Sequence, residues 1–409
     1  MFELDELQRA MEGAARAWCE NELAPAVPAM ETGEQRPYEL LRRLGRDLGI
    51  SELLVQGAEH RLAKLEGGAQ EVERAEAAAE RGDDGSGLGG DPMLTSVLLK
   101  EISRVSPGFG MVLIATAGCG MAILSQGSAP LIEQYAIPIF RFEKIGAWAL
   151  TEPGAGSDAF GGMRTTAEID GDDLVLNGQK SMISNAPFAD VFTVYARVGG
   201  GEGKRPVRPI VVAKGTPGLE ASPPLRKMGM HDSPTGEIFL RDCRVPRGNL
   251  LGTLESKQGP RGGEALGVLN LERSVMPAMC LGIIERCVEE SVRYARAREQ
   301  FGQPIAEFQG VAFKLARMDL ALENARNLVL KLAWAQREGK LDARLASLAK
   351  LYCAEQAVRV ALDAIQIHGG AGYMAELPIE KLMRDAKMFE IGGGTNEIQL
   401  QTIARSILG

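Results

Sequence analysis

A chain of 409 residues, 45% of them hydrophobic, is long enough to bury a substantial core and to divide into two or three domains. A formal net charge of −8, with acidic and basic residues interspersed, argues against nucleic acid or an anionic membrane as the main partner. The six cysteines (19, 119, 243, 280, 287, 353) form no CxxC pair and read as reduced, buried thiols of a cytoplasmic protein, and the three histidines (60, 231, 368) form no short-spaced metal cluster.

In chain order, MFELDELQRAMEG is amphipathic and acidic, without the basic start and apolar run of a signal peptide, and no apolar stretch is expected to be long enough to span a bilayer. Residues 1–146 carry helical spacing, as in LLRRLGRDLGI and MLTSVLLKEISRV, and are expected to form an N-terminal helical domain. Within them, residues 57–90 are charged, alanine-rich and then glycine-rich, with almost no large apolar side chain. That insertion reads either as a lid or partner-binding segment or as a solvated helix on a tether. Over 147–260 the texture changes to alternation with turn signals. TAEIDGDDLVLNGQK predicts a strand, a GDD turn and a second strand, and FTVYARV, RPIVVAKG and GEIFLRDCRV predict more, giving a small antiparallel β domain. Residues 261–409 return to helical texture. LNLERSVMPAMCLGIIERCVEESVRYARARE predicts one long helix, with Pro277 a candidate kink, followed by helices near 308–338 and 342–368. The fold class is therefore mostly α with a middle β domain, ending in a helical bundle.

Two glycine-rich segments draw attention. GAGSDA, within WALTEPGAGSDAFGG at 148–162, formally matches a dinucleotide pattern, but Pro153 interrupts the approach and Gly161-Gly162 denies the helix that such a unit needs. As a loop, its Thr151 and Ser157 hydroxyls, with small residues between them, suit a flat polar ring. EIGGGTNEIQ, at 390–399, lets backbone approach a ligand closely but supplies no acid, base or nucleophile at its glycines.

LTEPGAGSD, NGQKSMISNA, RYARAREQFGQPIAEFQG, QIHGGAGY and GGGTNEIQ, in that order along nearly the whole chain outside the insertion, resemble the acyl-CoA dehydrogenase family. The resemblance implies a helical domain, a β domain and a four-helix bundle, a bound FAD, and removal of two hydrogens across the α and β carbons of an acyl thioester. It implies flavin contacts from Thr151, Ser157, Met182 and Ser184, from Thr395 and Glu397, and, across a subunit interface, from Arg298, Phe301, Gln366 and Gly370. A homotetramer or homodimer follows. Ser157 also matches a position beside the thioester, and Asn270 and Arg273 match contacts to the CoA arm. Met182 stands where the family commonly has an aromatic, a departure that bears on electron transfer to an electron-transfer flavoprotein.

A second departure concerns the base. The commonest family pattern at the C-terminal turn is aromatic, Glu, Gly, Thr, with that Glu as base; here the turn reads Gly392, Gly393, Gly394, Thr395. Some members, isovaleryl-CoA dehydrogenase among them, carry the glutamate on the first long helix of the C-terminal domain, which corresponds here to Glu272 in LNLERSV. The expectation is that Glu272 takes the α-proton while a hydride passes to flavin N5. Its bland alternative is a helix-start glutamate paired with Arg273 or favouring the helix dipole. Asp91, near the expected pocket floor, and Glu390 are the other candidate bases. Gly392 and Gly393 should vacate volume beside the reacting carbons, so the expected acyl group is branched, cyclic or aryl-substituted. Competing readings on the same fold are an enoyl-thioester reductase, an oxidase, an enzyme taking an acyl-carrier-protein thioester docked on residues 57–90, and a silent flavin binder.

Overall fold

The computed structural model describes residues 4–66, 90–199, 205–254 and 263–409, with the side chains of residues 66 and 263–273 outside that description. Helix α1 (Glu6–Trp18) opens in a capping box: Asp5 accepts from Gln8 N at 2.8 Å and Gln8 Oε1 accepts from Asp5 N at 3.0 Å. Helices α2 (Tyr38–Asp47) and α3 (Ile50–Glu66) follow. The first ten residues of the anomalous stretch thus continue a helix, and 67–89 lie outside the described residues. Helices α4 (Pro92–Val105) and α5 (Pro107–Gln126) each place proline at the first position behind an N-cap, Asp91 and Ser106.

The middle sheet comprises β1 (Gly146–Ala149), β2 (Thr166–Asp170), β3 (Asp173–Ser184), β4 (Val191–Val198), β5 (Val207–Ala213), β6 (Leu219–Ala221) and β7 (Thr235–Pro246), in the order β1-β4-β2-β3-β7-β6 with β5 also on β4. It is mixed rather than antiparallel. β1 and β2 both run parallel to β4, with Gly146 opposite Val191 and Thr166 opposite Arg197, whereas the β2–β3, β3–β7, β4–β5 and β6–β7 pairs are antiparallel. The β2–β3 hairpin reverses the chain and the step into β4 restores its direction, so β2 and β4 can meet only in parallel.

The C-terminal helices are α6 (Gly263–Ala297), which continues uninterrupted through Pro277, then α7 (Gln309–Arg337), α8 (Ala343–His368), α9 (Ile379–Phe389) and α10 (Asn396–Leu408). Helix α5 corrects one expectation: by length and composition it is apolar enough to cross a membrane. Most of it is buried against β1, α4 and α6, so its apolar length serves the core. Helices from both ends of the chain share one core, which includes Phe109, Phe140, Ile284 and Phe389, and the sheet has its own, built on Leu174, Phe192, Val212 and Ile238.

Helix α6 packs closely on α4. A Cβ at Gly282 would lie 2.2 Å from Lys100 O, so only glycine permits this approach. Buried charge then ties α1, α4 and α6 together: Arg16 reaches Glu101 and Glu285, both at 2.9 Å, and Arg104 reaches Glu285 at 2.9 Å and Glu289 at 2.6 Å. Burial opposes the Glu101 carboxylate, but the hydrogen bond from Arg16 and the charge of Lys100 outweigh it and hold Glu101 below the usual carboxylate range.

Candidate active site

A cavity of about 1510 Å³ lies where the β domain meets the helices. One wall is the loop after β1 together with the end of β3. The residues of the formal dinucleotide match form turns with no helix behind them. Glu152 anchors this loop: its carboxylate accepts from Arg164 N at 2.7 Å, Thr165 N at 2.9 Å and Lys180 Nζ at 2.8 Å, and Lys180 also donates to Leu150 O at 3.1 Å. Burial pushes the Lys180 ammonium down to about 8 against the opposing pull of Glu152. Burial also works against the Glu152 carboxylate, yet the hydrogen bonds from Lys180, Thr165 and Arg164 prevail and keep it below its ordinary range. Thr151 and Ser157 project from this clamped loop to line the cavity.

Strand β3 shifts register against β7 between Lys180 and Ile183, and Met182 within that bulge takes φ 60°. A bulge of this kind re-aims a side chain. Met182 lines the cavity, 73% exposed, beside Ser184. The bulge is held from behind: Ser181 N donates to Thr151 O at 2.9 Å, and the buried Asn185 amide donates to Val112 O, Thr116 Oγ1 and Gly146 O at 3.0 to 3.2 Å.

A second wall is the segment 227–235. Lys227 Nζ donates to Thr235 Oγ1 at 2.9 Å and to Ser233 O, and its burial pushes it down to about 8 against the charges of Asp232, Asp385 and Glu31. Met230 N donates to Asp385 Oδ1 at 2.5 Å, and Lys381 pairs with Asp385 at 2.5 Å and Asp232 at 3.3 Å. These contacts fasten the segment to α9.

The third wall is the turn between α9 and α10, where Gly392, Gly393, Gly394 and Thr395 all line the cavity. Thr395 caps α10, its Oγ1 accepting from Ile398 N at 3.4 Å. Lys350, 1% exposed within α8, donates to Gly394 O at 2.8 Å, and Gln399 Nε2 donates to Gly393 O at 3.3 Å and Gly394 O at 2.9 Å. The vacancy expected at the glycines is partly filled. A Cβ built at Gly393 would lie 2.6 Å from Met276 Sδ, and one at Gly392 would lie 2.6 Å from Met388 Sδ. Neither methionine, nor Lys350 or Gln399, stands out in the sequence, because each reaches the turn from a different helix.

Other expected site residues lie elsewhere. Asp91 does not line the cavity: its carboxylate accepts from Met93 N at 2.8 Å as the cap of α4 and from Gln8 Nε2 at 2.9 Å. Glu390 pairs with Lys387, and Glu397 is exposed in the first turn of α10. Arg298, Phe301, Gln366 and Gly370 are exposed outside the cavity, Phe301 at 95% with φ 53°. The Tyr294 and His368 rings, 4.4 Å apart, set the C-terminal ends of α6 and α8 side by side, which brings these four residues to one end of the bundle. Asn270, Glu272 and Arg273 belong to the helical backbone of α6, and their side chains lie outside the described residues.

The donor set fits the flavin that the sequence motifs imply. The hydroxyls of Thr151, Ser157 and Ser184 share the cavity with apolar Leu98, Val275 and Met276, as a flat amphipathic ring requires. In the same lining the buried Trp148 indole N–H finds no acceptor among the described residues.

Residues 147–243 match the family model described as acyl-CoA dehydrogenase, middle domain, and residues 263–408 match acyl-CoA dehydrogenase, C-terminal domain. A probable acyl-CoA dehydrogenase of Bacillus subtilis is 34% identical over 409 residues, covering 100% of this chain and 99% of its own length. The cyclohex-1-ene-1-carbonyl-CoA dehydrogenase of Syntrophus aciditrophicus is 34% identical over 411 residues, covering 100% of this chain and 91% of its own. The solved structure of butyryl-CoA dehydrogenase from Megasphaera elsdenii superposes with a TM-score of 0.82 at 34% identity, covering 100% of both chains. With the motifs, the architecture and the cavity in agreement, this chain belongs to the acyl-CoA dehydrogenase family and is an FAD-dependent acyl-CoA dehydrogenase.

Proposed function

We propose that this enzyme removes two hydrogens from the α and β carbons of a branched, cyclic or aryl-substituted acyl-CoA, with Glu272 taking the α-proton. One observation carries the reading: the other nearby carboxylates are committed. Among the described residues that line the cavity the acids are Glu152 and Asp158. Glu152 is consumed by Lys180 and two backbone N–H groups, and Asp158 accepts from Gly161 N at 3.1 Å. Asp91 caps a helix and Glu390 is ion-paired, both outside the lining. Position 272 on α6 precedes the cavity-lining Val275 and Met276 by one helical turn, and residues so spaced share a helix face. A base on that face supplies what the glycine turn lacks.

The bound flavin supplies the acceptor for the hydride leaving the β carbon. Thr151, Ser157, Met182, Ser184 and Thr395 would hold it within this chain, with Glu397 at the start of α10 completing that side. Arg298, Phe301, Gln366 and Gly370, gathered on an exposed end of the bundle, would meet the flavin of a partner subunit in a dimer or tetramer. Asn270 and Arg273 would contact the CoA arm, and electrons would leave to an electron-transfer flavoprotein. The division of labour follows domains of 1–146, 147–260 and 261–409. A relative named for a cyclic acyl-CoA supports a ring-bearing acyl group here.

The test is anaerobic flavin absorbance after mixing with cyclohexanecarbonyl-, isovaleryl- and butyryl-CoA. The wild type is expected to bleach, most readily with a bulky thioester. Glu272→Gln is expected to slow bleaching by at least about a hundredfold while the ligand-induced shift of the flavin band persists. Bleaching at the wild-type rate in that variant moves the base to another residue.

A further inference from the structure

The backbone of the glycine turn is fixed, and the side chains packed against it are unbranched thioethers. Lys350 and Gln399 hold the carbonyls of Gly393 and Gly394. Gly393 and Gly394 sit at φ 63° and 91°, where any other side chain would be strained. The turn therefore has little freedom to yield to a ligand. What occupies the room in front of it is thioether: Met276 Sδ and Cε lie 2.6 and 3.0 Å from a Cβ built at Gly393, and Met388 Sδ lies 2.6 Å from one at Gly392. Both methionines line the cavity, one from α6 and one from α9. Methionine is unbranched with three rotatable bonds, so it fills an irregular gap and withdraws from it more cheaply than a branched side chain does.

We propose that Met276 and Met388 form a retractable wall that determines which acyl groups this enzyme accepts, an inference that rests on the dehydrogenase reading above. With the thioethers against the glycines, the wall closes on a slim, straight acyl chain. With them withdrawn, the same fixed turn admits a branched or ring-bearing group, without any backbone movement. The specificity-determining residues are thus the two methionines, and the glycines provide the room into which they fold.

The test is kcat/KM for cyclohexanecarbonyl-CoA relative to butyryl-CoA, measured on flavin-loaded wild type, Met276→Ala, Met276→Ile and Met388→Ala. Shortening Met276 to alanine is expected to raise the cyclic-to-linear ratio by at least about tenfold, and the stiffer isoleucine to lower it by about tenfold, the scale on which small changes of shape in an apolar pocket discriminate substrates. Met388→Ala should shift the ratio in the same direction as Met276→Ala. If Met276→Ala fails to retain flavin, the volume-conserving Met276→Ile and the Met388→Ala variants carry the test. Bleaching by both thioesters with the ratio unmoved in these variants overturns the wall and leaves the dehydrogenase reading intact. A wild type that no acyl-CoA reduces overturns that reading, and the wall with it.

Discussion

The loop after β1 holds its shape with charge, buried Glu152 against buried Lys180, whereas the turn after α9 is pinned at its carbonyls and packed by side chains from the helices around it. At the loop wall several contacts fix the backbone: an ion pair, two backbone N–H groups on one carboxylate, and a bulge backed by Asn185. At the glycine turn the backbone is equally fixed, but the surface packed against it is thioether. Under the proposed reading, such a division suits an enzyme that holds one cofactor in one pose while accepting acyl groups of different width.

The comparison breaks most visibly at Glu152. Glu152→Gln leaves the Lys180 ammonium, 0% exposed, without its counter-charge, and a loss on the order of 3 kcal/mol in stability is expected, seen as a lower Tm and weaker flavin retention. The pH dependence has a definite sign. Because the folded pKa of Glu152 is depressed, its stabilisation is complete above the ordinary carboxylate value of 4.5 and is lost as pH falls through the lower folded value. The Tm gap between wild type and variant should close in acid and also narrow as pH rises toward about 8, because a Lys180 that has lost Glu152 sheds its proton more readily than the paired one. Lys350→Met is expected to cost less, about 1 kcal/mol, because it removes one of the two donors to the part-buried carbonyl of Gly394. It should also reduce discrimination among acyl-CoA thioesters, since a turn freed at Gly394 can yield. Unchanged acyl selectivity in Lys350→Met would show that Gln399 alone suffices to pin the turn.

This asymmetry also explains what could be read from the sequence. The strands of seven or more residues, or with a marked turn between them, are legible; β1 and β6, of four and three residues, are too short to show a period. Parallel pairing with β4 was not legible, because a strand's own residues do not name its neighbour. Asp91, expected near the pocket floor, instead caps α4, and Asp-Pro ahead of an apolar run is a helix-start signal. The polar loop wall is local in sequence and its hydroxyls stood out. The wall at the glycine turn is assembled from α6, α8, α9 and α10, and a lone lysine such as Lys350 in mid-helix reads as a surface charge until its partner, 44 residues on, is known. Glu272 was placed by family resemblance, since nothing in its own neighbourhood separates a base from a helix-start glutamate.

The smallest expected effect tests whether the loop wall owes its shape to backbone and charge alone. Met182 sits at φ 60° in the β3 bulge with its side chain 73% exposed, so the position carries left-handed strain and little packing. Replacing it with glycine relieves roughly 1–2 kcal/mol of that strain. The same change adds about 0.5–1 kcal/mol of conformational freedom to the unfolded chain. The two nearly cancel, and Met182→Gly should change stability by less than about 1 kcal/mol in chemical denaturation, while the flavin absorption band shifts because the cavity lining has changed. Valine, branched at Cβ, gains neither relief and should be clearly worse than glycine at this position. A loss of several kcal/mol in Met182→Gly would mean that side-chain packing, not the Ser181 and Asn185 hydrogen bonds, sets the bulge, and the two walls would then differ less than their contacts indicate.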